Sequence, residues 1–265
     1  MQNNQIYPIK HTNMTYLSVI IPTYNEERRI GKTLTTIRDF LDKQNYDYEV
    51  LVVDDGSTDT TCGIVNIIAE GWPQLKIMTN QVNRGKGAVV KQGILNAIGK
   101  YILFTDADNA TPIEQIDKLF KYADEYPIVI GSRHCPGAKI HIPQSRHRIL
   151  LSRASNLLIR ILAVPGIYDT QCGFKLFERN AGQNIFSNVK LEHFGFDFEL
   201  LVIARHLGYK FKEVGIEWYN DPESKVRTGR EAIRTLRDLF KVKLNLLKGD
   251  YSKAGYIQRN PLPKK

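Results

Sequence analysis

The chain has 265 residues, 42% apolar and 25% charged, a composition ordinary for a folded domain with a sizeable core. Lys and Arg number 37 against 28 Asp and Glu, a net charge of +9 that suits nucleic acid, an anionic membrane face or a phosphorylated substrate. Three scattered cysteines argue against a disulfide framework or structural zinc, the polar N-terminus lacks the apolar core of a signal peptide, and no apolar run reaches the ~18 residues of a spanning helix.

The first half alternates. An apolar run at 17–21 reads as a buried strand ended by Pro22, and Ile30, Leu34, Ile37 and Leu41 give a helix over 26–41. A second strand falls at 50–53, followed by a helix capped by Ser57 or Thr58 with Asp59 in its first turn. Strands at 75–78, 101–104 and 128–130 and helices at 87–98 and 112–123 complete the pattern. Such alternation predicts an α/β fold, a mostly parallel sheet covered on both faces. Beyond Gly131 the chain turns basic: Arg133, His134, Lys139, Arg146, His147 and Arg148 occur within 132–148 without an acidic residue. Expected next are a helix at 152–162, a strand at 169–177, a helix at 196–206 and a strand at 209–218. A basic amphipathic stretch at 230–248 comes last.

In parallel sheets ligands bind at the carboxyl ends of the strands. Three acidic segments fall there: 22–26, 54–57 and Asp106-Ala107-Asp108. Two carboxylates one residue apart repel unless a cation separates them, and hard oxygen donors suit Mg²⁺ or Mn²⁺, which keep waters and take substrate phosphates as further ligands. The glycine-rich turn at 83–88 opens a helix, where backbone N–H groups can meet an anion or simply make a tight turn.

Taken in order, IPTYNE (21–26), VDDGSTD (53–59), NRGKGAVV (83–90), TDADNAT (105–111), GSR (131–133) and DTQCGFKLF (169–177) resemble a family 2, GT-A-fold glycosyltransferase. More narrowly they resemble the group that transfers a sugar from a nucleotide to dolichyl or another polyprenyl phosphate, closer to its glucosyl than its mannosyl branch. The resemblance runs from about Leu17 to Val226 and implies a GT-A domain at 16–227, between a polar tail at 1–15 and an extension at 228–265. It also implies a base and ribose pocket of Pro22, Tyr24, Glu26 and either Asp55 or Asp54. Asp106 would stand near the ribose and the metal, Asp108 would bind the cation on the diphosphate, and Lys86 would assist. Arg133, Arg148 and Ser152 match phosphate-binding positions for the lipid, with Lys225 or Arg227 replacing an arginine of the mannosyl branch. Ala110 stands where that branch carries a metal-site glutamine. Asp197 replaces its histidine, either to contact a sugar hydroxyl or as an ordinary acid at a helix start.

The implied reaction is a single inverting displacement: glucose on UDP-glucose, or mannose on a GDP-mannose type donor, passes to the oxyanion of a lipid phosphate that needs no strong base. Rival readings are a transferase acting on a carbohydrate or protein hydroxyl with Asp197 as base, and a non-catalytic module binding nucleotide or anionic lipid. Nucleic acid fits poorly, since no aromatics interleave with the basic residues. The C-terminal stripe of Ile233, Leu236, Phe240, Leu244 and Leu247, flanked by Arg and Lys, suits the core, an anionic membrane surface or a membrane-protein partner. A cytoplasmic protein, peripheral on the cytoplasmic membrane face, is the expected setting.

Overall fold

The computed structural model describes residues 14–142, 156–220 and 228–251. The expected alternation is there. β1 (Leu17–Thr23), α1 (Ile30–Leu41), β2 (Tyr48–Asp54), α2 (Thr61–Glu70), β3 (Leu75–Thr79), α3 (Lys86–Asn96), β4 (Tyr101–Thr105), α4 (Ile116–Ala123) and β5 (Ile128–Ser132) follow one another. Then come β6 (Lys139–Ile142), α5 (described over 156–162), β7 (Phe174–Glu178), α6 (Arg179–Asn188), α7 (Phe196–His206), β8 (Phe211–Gly215), β9 (Glu217–Tyr219) and α8 (Thr228–Leu247).

Seven strands form one sheet in the order β3-β2-β1-β4-β7-β5-β8, all parallel except β7, which runs antiparallel between β4 and β5. Successive strand residues face opposite layers. Leu17, Val19 and Ile21 pack with α1, α2 and α4, whereas Ile20, Ile102 and Phe104 pack with α3, α5, α6, α7 and α8. Both faces of the sheet are buried, which goes with the nearly continuous apolar strands. A buried Leu, Ile or Phe contributes roughly 1.5–3 kcal/mol, so the two layers rather than the loops hold the sheet.

Several expectations are corrected. Residues 26–29 are turns, and α1 starts at Ile30. Neither Ser57 nor Thr58 caps α2, which starts at Thr61. Ser57 bonds to Asp54, and Asp59 precedes the helix, its carboxylate accepting from Thr61 N at 3.0 Å. The strand expected at 169–177 begins only at Phe174, because the backbone before it bonds to side chains instead of a neighbouring strand. The run at 209–218 splits into β8, on β5, and β9, which pairs with β6; the buried Ile216 marks the crossing, donating to Ser132 O and accepting from Lys139 N. Sequence reasoning missed β6 and α6. The second is polar overall and buries only Ala181, Gly182, Ile185 and Phe186, but Glu178 caps it by accepting from Ala181 N.

On α8 one face joins the core through Leu239 and Val242, while Leu236, Phe240, Leu244 and Leu247 are exposed. The side chain of Ile233 lies outside the described residues. Among those residues, no helix is long and apolar enough to cross a membrane.

Candidate active site

The parallel strands end on one rim, and β7 starts on it, with Phe174 opposite Thr105. The buried strand β4 delivers Asp106 and Asp108 there. Between them Ala107 is buried, its carbonyl accepting from Thr33 Oγ1 at 2.7 Å, which ties the loop to α1. Asn109 adopts a left-handed φ of 52°, a conformation Asn tolerates, and Asp108 Oδ1 accepts from Ala110 N at 3.0 Å. Burial, then the neighbouring Asp106 charge, push the Asp108 carboxyl up to about 6.

Asp106 Oδ1 is buried, and the Lys86 ammonium pairs with it at 2.6 Å. Burial pulls that ammonium down, but the charges of Asp106 and Asp197 outweigh it and hold Lys86 above its ordinary value. A Cβ at Gly173 would fall 2.1 Å from Asp106 Oδ2, so the residue just before β7 must lack a side chain for this carboxylate to keep its place. The donor set fits a hard divalent ion: two carboxylates one residue apart on one loop, close enough that the Asp106 charge helps push Asp108 up, with water and diphosphate oxygens to complete the shell. Among the described residues no three His, Cys, Asp or Glu side chains converge into a closed metal cage.

The expected nucleotide residues lie at the ends of β1 and β2 on the same rim. Pro22 is buried in β1, Tyr24 is exposed, and Glu26 forms a two-bonded pair with Arg29, both bonds 2.7 Å. Asp54 and Asp55 carry loop-fixing bonds that sequence reasoning did not anticipate. Asp54 accepts from Ser57 N, Ser57 Oγ and Thr23 Oγ1; Asp55 accepts from Arg84 N and Gly85 N, each at 2.8 Å. The glycine turn is therefore not an open anion cradle. Two of its N–H groups are held by Asp55, and Ala88 N donates to Glu192 O. Gly85, with φ 108°, serves close packing, since a Cβ there would lie 2.3 Å from His193 Nδ1.

Beyond β7 the rim changes character. Arg133, just after β5, donates to Asp169 through Nε (2.8 Å), Nη2 (3.0 Å) and its backbone N (3.0 Å), and its guanidinium lies 5.5 Å from the Trp218 ring centre. Burial pushes the Asp169 carboxyl up, but the Arg133 charge and bonds overcome this and leave it well below the ordinary range. Asp197, at the start of α7, is bound to the fully buried Lys175 at 2.5 Å, and Lys175 also donates to Cys172 O. Burial pushes the Asp197 carboxyl up, only partly countered by Lys175 and Lys86. Cys172 belongs to the core, its thiol pushed up to about 12 by burial. Arg148, Ser152, Lys225 and Arg227 lie outside the described residues.

The structure thus brings Asp106, Asp108, Lys86 and Arg133 to one rim. Asp169, Lys175 and Gly173 were missed as site residues, although all three stand in the quoted DTQCGFKLF run.

Residues 18–186 match the Glycosyl transferase family 2 model. A dolichyl-phosphate beta-glucosyltransferase of Trichomonas vaginalis is 38% identical over 246 residues, 87% of this chain and 75% of that one. The human protein of that name is 34% identical (88% and 76% covered), and that of Saccharomyces cerevisiae 36% (89% and 76%). Among solved structures, glucosyl-3-phosphoglycerate synthase from Mycobacterium tuberculosis, in complex with Mn²⁺, UDP-glucose and phosphoglyceric acid, aligns with a TM-score of 0.63 at 19% identity, covering 87% of this chain and 80% of that one. Mannosyl-3-phosphoglycerate synthase from Rubrobacter xylanophilus gives 0.65 at 16% (93% and 79%). The fold they share with this chain is GT-A.

Proposed function

Because the chain belongs to glycosyl transferase family 2, and is a glycosyltransferase, we propose that it moves glucose from UDP-glucose to a dolichyl-type polyprenyl phosphate with inversion at the anomeric carbon. The observation that carries this reading is the shared rim, where the Asp106/Asp108 loop and the Arg133 guanidinium flank the start of β7. Asp106 and Asp108 would hold Mg²⁺ or Mn²⁺. When bound, such an ion supplies Lewis-acid neutralisation of the departing diphosphate. Lys86 adds a positive charge on the same side. Pro22, Tyr24, Glu26, Asp54 and Asp55 build the nucleoside end of the pocket, the last two chiefly by fixing the loops that frame it.

On the other side Arg133, with Arg148, Ser152 and Lys225, would place the acceptor phosphate behind the anomeric carbon. A phosphate monoester is already an oxyanion nucleophile and needs no proton removed. Asp197 supports this choice of acceptor: paired with Lys175 at 2.5 Å, it is poorly placed to serve as the base that a hydroxyl acceptor requires. The exposed face of α8, with Leu236, Phe240 and Leu247 beside Arg237, Lys241, Lys243 and Lys248, suits docking on an anionic leaflet where such lipids reside. Neutralising Lys241, Lys243 and Lys248 should weaken binding to phosphatidylserine vesicles about a hundredfold, at ~1 kcal/mol per charge; unchanged sedimentation would refute the docking.

The test of function is a panel. The protein is incubated with Mn²⁺ and labelled UDP-glucose or GDP-mannose, against polyprenyl phosphate, free polyprenol or a sugar acceptor. Label should enter the organic phase with UDP-glucose and the phosphate lipid, as the β-anomer by NMR. Transfer to the polyprenol or the sugar alone would overturn the reading.

A further inference from the structure

Arg133 is held by more than a surface ion pair needs. Asp169 is 1% exposed, and its carboxylate receives the Nε, Nη2 and backbone N of Arg133. A carboxylate and a guanidinium joined at two parallel points fix the plane of the fork. Trp218 covers the guanidinium at 5.5 Å, and the Arg133 side chain remains 21% exposed, with Nη1 absent from the pair.

Asp169 is itself anchored. Glu213 on β8 accepts from Tyr168 N (2.7 Å) and Asp169 N (2.8 Å) through separate carboxylate oxygens. Glu213 pairs in register with Ile130 of β5, the strand that carries Arg133 at its end. Asn156, at the described start of α5, takes Thr170 Oγ1 at 2.9 Å and donates to Tyr168 O. The ring of contacts therefore closes: β5 to Arg133, Arg133 to Asp169, Asp169 through its loop to Glu213, and Glu213 on β8 back to β5.

We propose that Asp169, braced by Glu213, is a positioning residue that aims the free edge of the Arg133 guanidinium at the phosphate of the acceptor. The role depends on the acceptor reading given above. It assigns Asp169 no contact with substrate and no proton transfer; the carboxylate acts wholly through Arg133. Asp169→Asn preserves shape but replaces one acceptor oxygen with an amide donor that meets guanidinium N–H groups, so the fork loses its fixed plane.

The test is a double-mutant cycle on the full chain, with the KM for a short-chain polyprenyl phosphate measured beside the Kd for UDP in Mn²⁺. Asp169→Asn should raise the acceptor KM about tenfold or more with the UDP Kd within about twofold, as expected for loss of a positioned charge-assisted contact. In an Arg133→Ala background the same substitution should add nothing. Glu213→Gln, a milder change that leaves one carbonyl oxygen for the loop, should give a smaller rise in the same direction, and it tests the role if Asp169→Asn does not fold. Additive losses in the cycle, or an unmoved acceptor KM in both variants, would overturn the positioning role while leaving the acceptor reading intact. An acceptor KM that ignores Arg133→Ala would sink the acceptor reading itself.

Discussion

The rim has two sides, and their charges are held differently. Under β1, β2 and β4 the carboxylates are fixed mainly by neutral donors: Asp54 by Ser57 and Thr23, Asp55 by the amides of Arg84 and Gly85, and Asp108 by Ala110 N. Such bonds orient a negative charge without cancelling it. On β7 and beyond it the charges come in opposite pairs, Lys175 with Asp197 and Arg133 with Asp169. The first side keeps a field that favours a cation, with Lys86 on Asp106 and Arg29 on Glu26 as its counter-charges. The second side gives up its field for fixed geometry, with charged atoms locked in place.

If that contrast is right, the largest effect belongs to Asp108. Asp108→Asn should lower kcat at least about a thousandfold, the loss of roughly 4 kcal/mol of transition-state stabilisation. By calorimetry, UDP binding should lose its dependence on Mn²⁺ while acceptor binding persists. Retained turnover would deny the loop its metal.

Next comes the buried pair. Lys175→Met alone should destabilise the fold by about 3–5 kcal/mol, because it strands a buried carboxylate, whereas Lys175→Met with Asp197→Leu should recover most of that loss. Denaturant unfolding separates the two cases. Equal destabilisation by the single and double variants would mean that Lys175 matters for packing, not charge.

Arg133→Ala comes third, with the acceptor KM rising about tenfold to a hundredfold and the UDP Kd hardly moving. An equal loss in both would erase the division between the sides.

The smallest effect is a pH dependence. The folded pKa of Asp108 is raised, from 3.8 to about 6, so between those values the native state holds more protons than the unfolded chain. Stability contributed by this group therefore falls as pH rises through that window and stays level above it. In metal-free buffer the Tm advantage of Asp108→Asn over the parent should grow from pH 4 to about 6 and then flatten. A constant difference would place Asp108 in an ordinary solvated setting.

The same division governs what could be read from the chain. β1 to β5, α3 and α7 follow from apolar runs and helical spacing, and the acidic loop falls at a strand end where ligands bind. Periodicity reports which faces are buried, not strand direction, so nothing in the Phe174–Glu178 run announced an antiparallel insertion. Arg133 and Asp169 stand 36 positions apart and Lys175 and Asp197 stand 22 apart, and an ion pair leaves no local pattern in either partner. The glycine turn stayed ambiguous for a different reason. Gly85 looks the same whether it admits an anion or the Glu192 carbonyl and the His193 ring, and only the packed loop decides. The basic run Arg146-His147-Arg148, Ser152 and the Lys225 or Arg227 position remain sequence expectations, outside the described residues.

One measurement addresses the centre directly: the ³¹P spectrum of a short-chain polyprenyl phosphate added to the protein with UDP, titrated with Mn²⁺. A paramagnetic ion held by Asp106 and Asp108, facing Arg133 over the start of β7, should broaden the lipid phosphorus strongly, and Arg133→Ala should restore its sharp line. A lipid resonance left sharp while the UDP phosphates broaden would put the two phosphates in separate places and contradict transfer between them.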